Sequence, residues 1–393
     1  MMRFSRASVK RWSNIGMPKA LLFVMLFTAL IAAEKIEDSR SIRDKQYAQL
    51  DAWLNARLDL SAQNRAAYWK LDFSSKPNYE RSLARYRKDW AAMLGVPPAY
   101  TGPLREKRVK ISDDPKFTAY RVWFDALAGV QTYGILLVPK NRTGRAPALI
   151  CQHGHADMPE KTVGLLDGPI YRNFARVFAE KGFVTFSPYL VSRYSEENEH
   201  AEGPKAWGRD VLFKKGIMVG HTLLGIETRK FTRTVDYLQS LPEVDPERIG
   251  MYGLSKGGQY TLAIAPLETR IKLAVVSGWF NDRQKKNLEQ GTDESMHFIT
   301  KIHRSEYYMR DLLDRFGDAE LAWMIAPRPL LIENGDRDSA VHIDDARAEF
   351  ERVRAVYEKL GMKDRAVFAG FHGEHRIDGV ESFPFVEKWL GGR

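Results

Sequence analysis

The chain has 393 residues, 44% apolar and 28% charged, with 20 Phe, 16 Tyr and 9 Trp. This is a globular composition with ample material for a core, and it excludes a disordered tail protein, a collagen-like repeat and a polytopic membrane protein. A single cysteine excludes a disulfide framework and any multi-cysteine metal site, and the net charge of +10 falls to +5 (55 basic against 50 acidic) once the first 33 residues are set aside, so nucleic-acid binding finds no support.

Those first residues carry Arg3, Arg6, Lys10, Arg11 and Lys19, then the 14-residue apolar run Ala20–Ala33. A basic segment, a short apolar run and small residues before Glu34 predict a secretory signal peptide over residues 1–33, cleaved near Ala32 or Ala33. The run is short for a bilayer span, which takes about 20 residues. A membrane partner enters only if this segment stays uncleaved as an anchor.

Residues 34–98 predict a helical N-terminal extension. Tyr47, Leu50, Trp53, Leu54 and Leu58 recur at three- and four-residue steps. A second amphipathic stretch, Tyr79 to Leu94, stops at Gly95 and Pro97-Pro98. The catalytic domain is expected over residues 99–393. Strands are predicted at Val109–Ile111, Thr118–Asp125, Val130–Val138, Ala148–Gln152, Phe183–Phe186, Arg248–Tyr252, Leu273–Ser277, Pro329–Glu333 and Ala366–Ala369. Helices are predicted at Phe174–Lys181, Glu227–Leu241, Lys256–Ala265, Asp344–Leu360 and Phe383–Leu390. Short buried strands alternating with helices predict an α/β fold with a mostly parallel sheet. Two stretches break the alternation, near residues 191–220 and 281–318. Insertions of this kind lie at the carboxyl ends of strands, where substrates bind.

Gly253-Leu-Ser255-Lys-Gly257 falls between a predicted strand and a predicted helix. Gly-x-Ser-x-Gly in that setting is a nucleophile elbow, a turn so tight that the serine takes strained backbone angles and projects above the sheet. A serine nucleophile needs a base, and the base an orienting acid. The strand ending at Glu333 runs into Asn334-Gly-Asp336-Arg-Asp338, and the strand ending at Ala369 runs into Gly370-Phe-His372-Gly-Glu-His375. The order Ser…Asp…His is that of α/β-hydrolases. Asp338 is the preferred acid with Asp336 as the alternative, and His375 the preferred base with His372 as the alternative. The backbone N–H groups of Lys256 and His155, the latter in the loop Gln152-His-Gly-His155, are the expected oxyanion donors. His153 reads as a structural histidine. His153-x-His155-x-Asp157 also resembles the start of a metallo-hydrolase motif, but Met158 stands where the next histidine is needed. No metal or organic cofactor is expected.

With these parts in place, the chain resembles the α/β-hydrolase superfamily, and within it the dienelactone-hydrolase and acetyl-xylan-esterase-like group of exported esterases. Leu241-Pro-Glu-Val-Asp-Pro-Glu-Arg-Ile-Gly250 leading into Gly-Leu-Ser-Lys-Gly-Gly carries the resemblance. So do Leu321-Ala-Trp-Met-Ile-Ala-Pro-Arg-Pro-Leu330 and the His153-Gly-His155 loop. The resemblance implies a serine esterase with nucleophile Ser255, acid Asp338, base His375 and oxyanion amides at His155 and Lys256. Lys256 departs from the uncharged residue frequent after the nucleophile. The expected partner is a small-molecule or polysaccharide-linked ester met outside the cytoplasm, in the periplasm or medium. Trp279 is the first candidate for the pocket wall, with Tyr194, Trp207, His297, His303, Tyr307 and Tyr308 in or near the insertions. A prolyl-oligopeptidase-type peptidase, a metal hydrolase and a non-catalytic binding protein are the rival readings. The first would carry a propeller ahead of the catalytic domain, for which the N-terminal stretch is too short.

Overall fold

The computed structural model describes residues 19–155, 157–191, 208–288 and 307–391. The chain divides into two compact units, one up to Ser61 and one from Ala62 onward. Among its described residues the first holds one long helix, α1 (Lys19–Asp59); α2 spans Ser61–Tyr68. Among the described residues, no helix is long and apolar enough to cross a membrane.

The second unit is built on nine strands: β1 (Lys107–Asp113), β2 (Phe117–Leu127), β3 (Val130–Pro139), β4 (Ala146–Gln152), β5 (Val184–Pro188), β6 (Val244–Leu254), β7 (Ile271–Ser277), β8 (Leu330–Gly335) and β9 (Ala366–Phe371). They form one sheet in the order β1-β2-β3-β5-β4-β6-β7-β8-β9. Pairing is antiparallel from β1 to β3 and between β3 and β5, and parallel from β5 through β9. The helices of this unit are α3 (Lys76–Leu94), α4 (Pro159–Thr162), α5 (Phe174–Glu180), α6 (Gly208–Ile217), α7 (Leu223–Ser240), α8 (Lys256–Ile264), α9 (Arg283–Leu288), α10 (Leu312–Arg315), α11 (Asp318–Trp323), α12 (Ile343–Lys359) and α13 (Ser382–Val386).

The parallel strands are mostly apolar because both faces are covered. Every residue of β4 and β8 is buried. Two-residue alternation divides their side chains between two cores. Ala148, Ile150, Met251, Val276 and Ile332 join the core that includes residues of α3, α7, α8 and α12. Leu149, Cys151, Tyr252, Val275 and Leu331 join the core that includes residues of α5 and α13.

Helix α3 shows how the sequence anchors an element here. Ser75 caps its N-terminus by accepting from Asn78 N, and Gly95 ends it in the left-handed region at φ 58°. Tyr79, Leu83, Tyr86, Trp90 and Leu94, spaced three and four apart, are buried. Trp90 Nε1 donates to Ala263 O at 2.8 Å, and Tyr79 Oη to Trp323 O at 2.7 Å.

All nine strands expected from the pattern are present. β6 starts earlier than its expected bounds, at Val244, because Val244 pairs with Ala146 before an irregularity that takes up Asp245-Pro246-Glu247-Arg248. The helices missed are α4, α6, α9, α10 and α11, all of ten residues or fewer, where a helical period has little length in which to declare itself.

Candidate active site

The parallel register brings the candidate residues to one end of the sheet. Leu254 pairs with Ser277, Ser277 with Glu333, and Glu333 with Ala369. The loops that follow these four positions carry Ser255, Trp279, Asp338 and His375.

Ser255 stands between β6 and α8 with φ 60° and ψ −120°. A non-glycine residue held there stores on the order of 1–3 kcal/mol of strain, which the flanking structure must offset. Its N–H donates to Ser277 O at 2.8 Å, and its carbonyl accepts from Gln259 N at 2.9 Å. The elbow glycines are required by space. A Cβ on Gly253 would lie 2.2 Å from the Gly257 backbone, and one on Gly257 would lie 2.4 Å from Gln152 O.

The loop after β4 passes beside Ser255. A Cβ on Gly154 would lie 3.3 Å from Ser255 Cβ, so His155 follows directly past the serine. His153 anchors this loop: its Nε2 accepts from Leu190 N at 3.0 Å, which leaves Nδ1–H to donate to Gly154 O at 2.8 Å. Full burial pushes this imidazole down to about 4, so it is neutral at ordinary pH. Gly154 N donates to Tyr171 Oη, and Tyr171 donates to Asp157 Oδ2, both at 2.8 Å. Asp157 also pairs with Lys161 at 3.1 Å. The aspartate of the metal-like triplet is therefore engaged in bracing the loop. Among the described residues, no three His, Cys, Asp or Glu side chains form a cluster that could hold a metal ion.

His375 Nδ1 and Asp338 Oδ2 are 2.7 Å apart. The Asp338 side chain is 1% exposed and that of His375 27%. Asp338 Oδ1 accepts from Ala340 N at 2.8 Å, which fixes the carboxylate. The imidazole rests on Gly278, where a Cβ would lie 2.9 Å from His375 Cε1. Gly278 follows Ser277, whose carbonyl holds the Ser255 N–H. The structure thus sets the His375–Asp338 pair on the residue next to the one that holds the Ser255 N–H. It pairs the alternatives with each other: His372 Nδ1 lies 2.8 Å from Asp336 Oδ2, on the outer side of the same two loops, with side chains 76% and 38% exposed. The hydrogen bond from His372 holds the Asp336 carboxyl below its usual range.

Trp279 is buried beside Gly278, its ring 5.9 Å from that of Tyr307. Two cations lie on these faces: Lys256 Nζ is 4.1 Å from the Tyr307 ring centroid and Lys286 Nζ is 4.4 Å from that of Trp279. Burial pushes the Lys286 ammonium down to about 8 against the opposing pull of Asp318 and Asp338. Lys286 escaped the sequence reading, since a lysine in a charged insertion reads as solvated. Tyr308 is exposed. Tyr194, Trp207, His297 and His303 lie outside the described residues.

The sheet order, the strand–serine–helix elbow and the loops after β8 and β9 that carry Asp338 and His375 are those of the α/β-hydrolase fold. The acetyl xylan esterase (AXE1) family matches residues 106–294, and the fungal glucuronyl esterase family matches residues 228–361. The chain has the α/β-hydrolase fold and resembles its acetyl-xylan-esterase-like members, a likeness to two esterase families that supports hydrolysis of carboxylic esters. The chain is 24% identical over 311 residues to "Putative hydrolase YtaP" of Bacillus subtilis (strain 168), covering 78% of this chain and 99% of that protein. A glucuronoyl esterase from Solibacter usitatus superposes with a TM-score of 0.57 at 13% identity, covering 82% of this chain and 97% of that one. Acetyl xylan esterase 1 from Thermoanaerobacterium sp. JW/SL YS485 superposes at 0.51 and 17% identity, covering 78% and 92%. At such identities the superpositions speak for the fold.

Proposed function

We propose that the chain is an exported serine esterase acting on acyl esters of carbohydrates through an acyl-enzyme. Ser255 Oγ attacks the ester carbonyl while His375 takes its proton. Asp338 accepts from His375 Nδ1–H, holding the ring and stabilising its charged form. The backbone N–H groups of His155 and Lys256 receive the oxyanion, helped by the positive end of α8. His375 then protonates the departing alcohol, and water, activated by the same imidazole, releases the acid. The sequence calls on no metal or organic cofactor.

The observation that carries this reading is the placement of the 2.7 Å His375–Asp338 pair on Gly278, one residue from the carbonyl that holds the strained Ser255. The carbohydrate class rests on the two matched families, both named for esterases of that kind. Trp279 and Tyr307 serve as the apolar wall, a face suited to stacking on a sugar ring. Residues 1–33 act as the export signal, residues 34–98 as a helical extension, and residues 99–393 as the catalytic domain.

The test is a paired assay of the full chain and its Ser255→Ala variant against p-nitrophenyl acyl esters, acetylated xylan, a glucuronate methyl ester and a proline-containing peptide. Ester turnover that disappears in the variant, without peptide cleavage, is the expected result. Turnover that survives the substitution and stops with chelator would overturn the serine mechanism.

A further inference from the structure

One buried carboxylate takes no part in the chemistry above. Glu333 lies near the end of β8 and is 1% exposed. Its Oε2 accepts from Tyr252 Oη and from Ser277 Oγ, each at 2.8 Å. Its Oε1 accepts from Gly379 N at 2.9 Å and from Ser382 Oγ at 2.6 Å. Its backbone carbonyl accepts from Gly278 N at 2.8 Å. Among the described residues these donors are all neutral, and each belongs to a segment that carries a part of the site. Tyr252 is three residues before Ser255 on β6. Ser277 holds the Ser255 N–H through its own carbonyl. Gly278 is the seat of the His375 ring. Gly379 follows His375 by four residues, and Ser382 opens α13 just beyond.

An anion buried without a cation is costly unless hydrogen bonds replace its hydration, and a four-donor shell does so. A structure that needed only to fill this space would use an apolar side chain, as Leu330, Leu331 and Ile332 do on the same strand. The carboxylate is matched to something else. Two oxygens, each accepting twice, tie three separate segments at fixed distances. Burial and the neighbouring carboxylate both push the Tyr252 phenol well up, so it remains a donor.

We propose that Glu333 is a positioning residue that holds the nucleophile strand, the seat of the imidazole and the segment after the base loop in mutual register. The proposal rests on the Ser255–His375–Asp338 reading. Glu333 reaches no substrate; it acts through Ser277, Gly278 and Gly379.

The experiment compares the full chain with Glu333→Gln, Ser382→Ala and Ser255→Ala. The readouts are p-nitrophenyl acetate kinetics and the rate of inactivation by a fluorophosphonate, which reports the competence of the serine and its base. The Gln amide can keep its oxygen on Gly379 N and donate its NH2 toward the Tyr252 and Ser277 hydroxyls. Two bonds are therefore forced to reverse: the Tyr252 hydroxyl can turn its hydrogen to Ser382 Oγ at 2.8 Å, while that of Ser277 loses its acceptor. In Glu333→Gln, kcat is expected to fall about 10- to 100-fold with KM within about twofold, the fluorophosphonate rate falling in parallel, as displacement of a catalytic geometry does. Ser382→Ala, which loses one bond on the base side, is expected to change the same quantities in the same direction by a smaller factor. A purely structural anchor would lower stability and leave kcat and the inactivation rate of the folded protein near wild type. That result, with Ser255→Ala inert, would overturn the hub and leave the triad standing. If Glu333→Gln fails to fold, Ser382→Ala decides: an unchanged kcat overturns the proposal and a reduced one supports it. Turnover retained by Ser255→Ala would overturn both.

Discussion

Two Asp–His pairs cross the same two loops, and their difference is one of burial. Asp338–His375 and Asp336–His372 have nearly equal separations, 2.7 and 2.8 Å. The inner pair has a buried carboxylate beside the elbow, whereas the outer pair faces solvent. An orienting acid works by stabilising an imidazolium away from water, and solvent screens the outer pair. His375→Ala and Asp338→Asn are each expected to cost about 10³- to 10⁴-fold in kcat. His372→Ala and Asp336→Asn are expected to cost less than about tenfold, since they touch loop bracing alone. Steady-state kinetics on one chromogenic ester rank the four, and an inverted order would reassign the dyad. Ser255 was legible in the sequence because the elbow is a local motif with its own strand and helix. The choice between two aspartates and two histidines was not settled by spacing, because the four residues lie within short loops far apart in the chain. Their pairing is decided by the register of β8 against β9.

His153 adds a pH dependence of known direction. Folded, it resists protonation until about pH 4, whereas its ordinary value is 6.5. Between those values unfolding takes up a proton, so the stability contributed by the neutral imidazole is intact above pH 6.5 and is lost as pH falls toward 4. The whole shift corresponds to about 3 kcal/mol. Denaturant titrations of the full chain at pH 7, 5.5 and 4.5 are expected to show falling stability. In His153→Gln, less stable at pH 7 for want of a matched bond pair, the part of that slope due to this group should vanish. An unchanged slope would place the acid sensitivity elsewhere.

At the scale of elements, the site is a matter of how closely backbone segments approach. The elbow, the loop after β4 and the turn after β7 touch through Gly253, Gly154, Gly257 and Gly278; a side chain at Gly253, Gly257 or Gly278 would strike a neighbour, and one at Gly154 would press on Tyr171 and Ser255. Gly278 gives the cleanest test. It has φ 60°, and a Cβ there would lie 2.9 Å from the His375 ring. Gly278→Ala should push the imidazole off its seat, lowering kcat by about 10²-fold while leaving the unfolding transition cooperative. Wild-type kcat in that variant would mean that the ring does not rest there during catalysis. The strands were legible because burial on both faces writes a continuous apolar run with turn residues at each end. The short helices α6, α9, α10 and α11 were not. Their residues are charged, and what buries Arg209, Arg283 and Lys286 is contact with segments remote in sequence. No local pattern records that.

For the whole molecule, the sheet serves as a ruler: because Leu254, Ser277, Glu333 and Ala369 are neighbours across four strands, every loop that leaves them starts at the same height. Catalytic precision then depends on keeping α8 seated on that sheet, and here the segment before the first strand contributes. Trp90 of α3 is 1% exposed and bonds to Ala263 O near the end of α8, the helix that begins after Ser255. Trp69 stacks on Tyr86 with centroids 3.9 Å apart and continues the packing toward Phe316. The second amphipathic stretch was legible as a helix from its period; that it closes the core over α8 was not, because the partner surface lies some 170 residues away in sequence. If α3 is part of this core, Trp90→Ala should destabilise the chain by about 3–5 kcal/mol through lost burial and the cavity it leaves. Trp90→Phe, which keeps most of the apolar volume and removes the indole N–H, should cost about 1–3 kcal/mol. Urea unfolding of the full chain, followed by fluorescence, measures both. A Trp90→Ala cost below about 1 kcal/mol, within the range of surface substitutions, would show α3 to be an appendage, and the catalytic body would then have to hold α8 by itself.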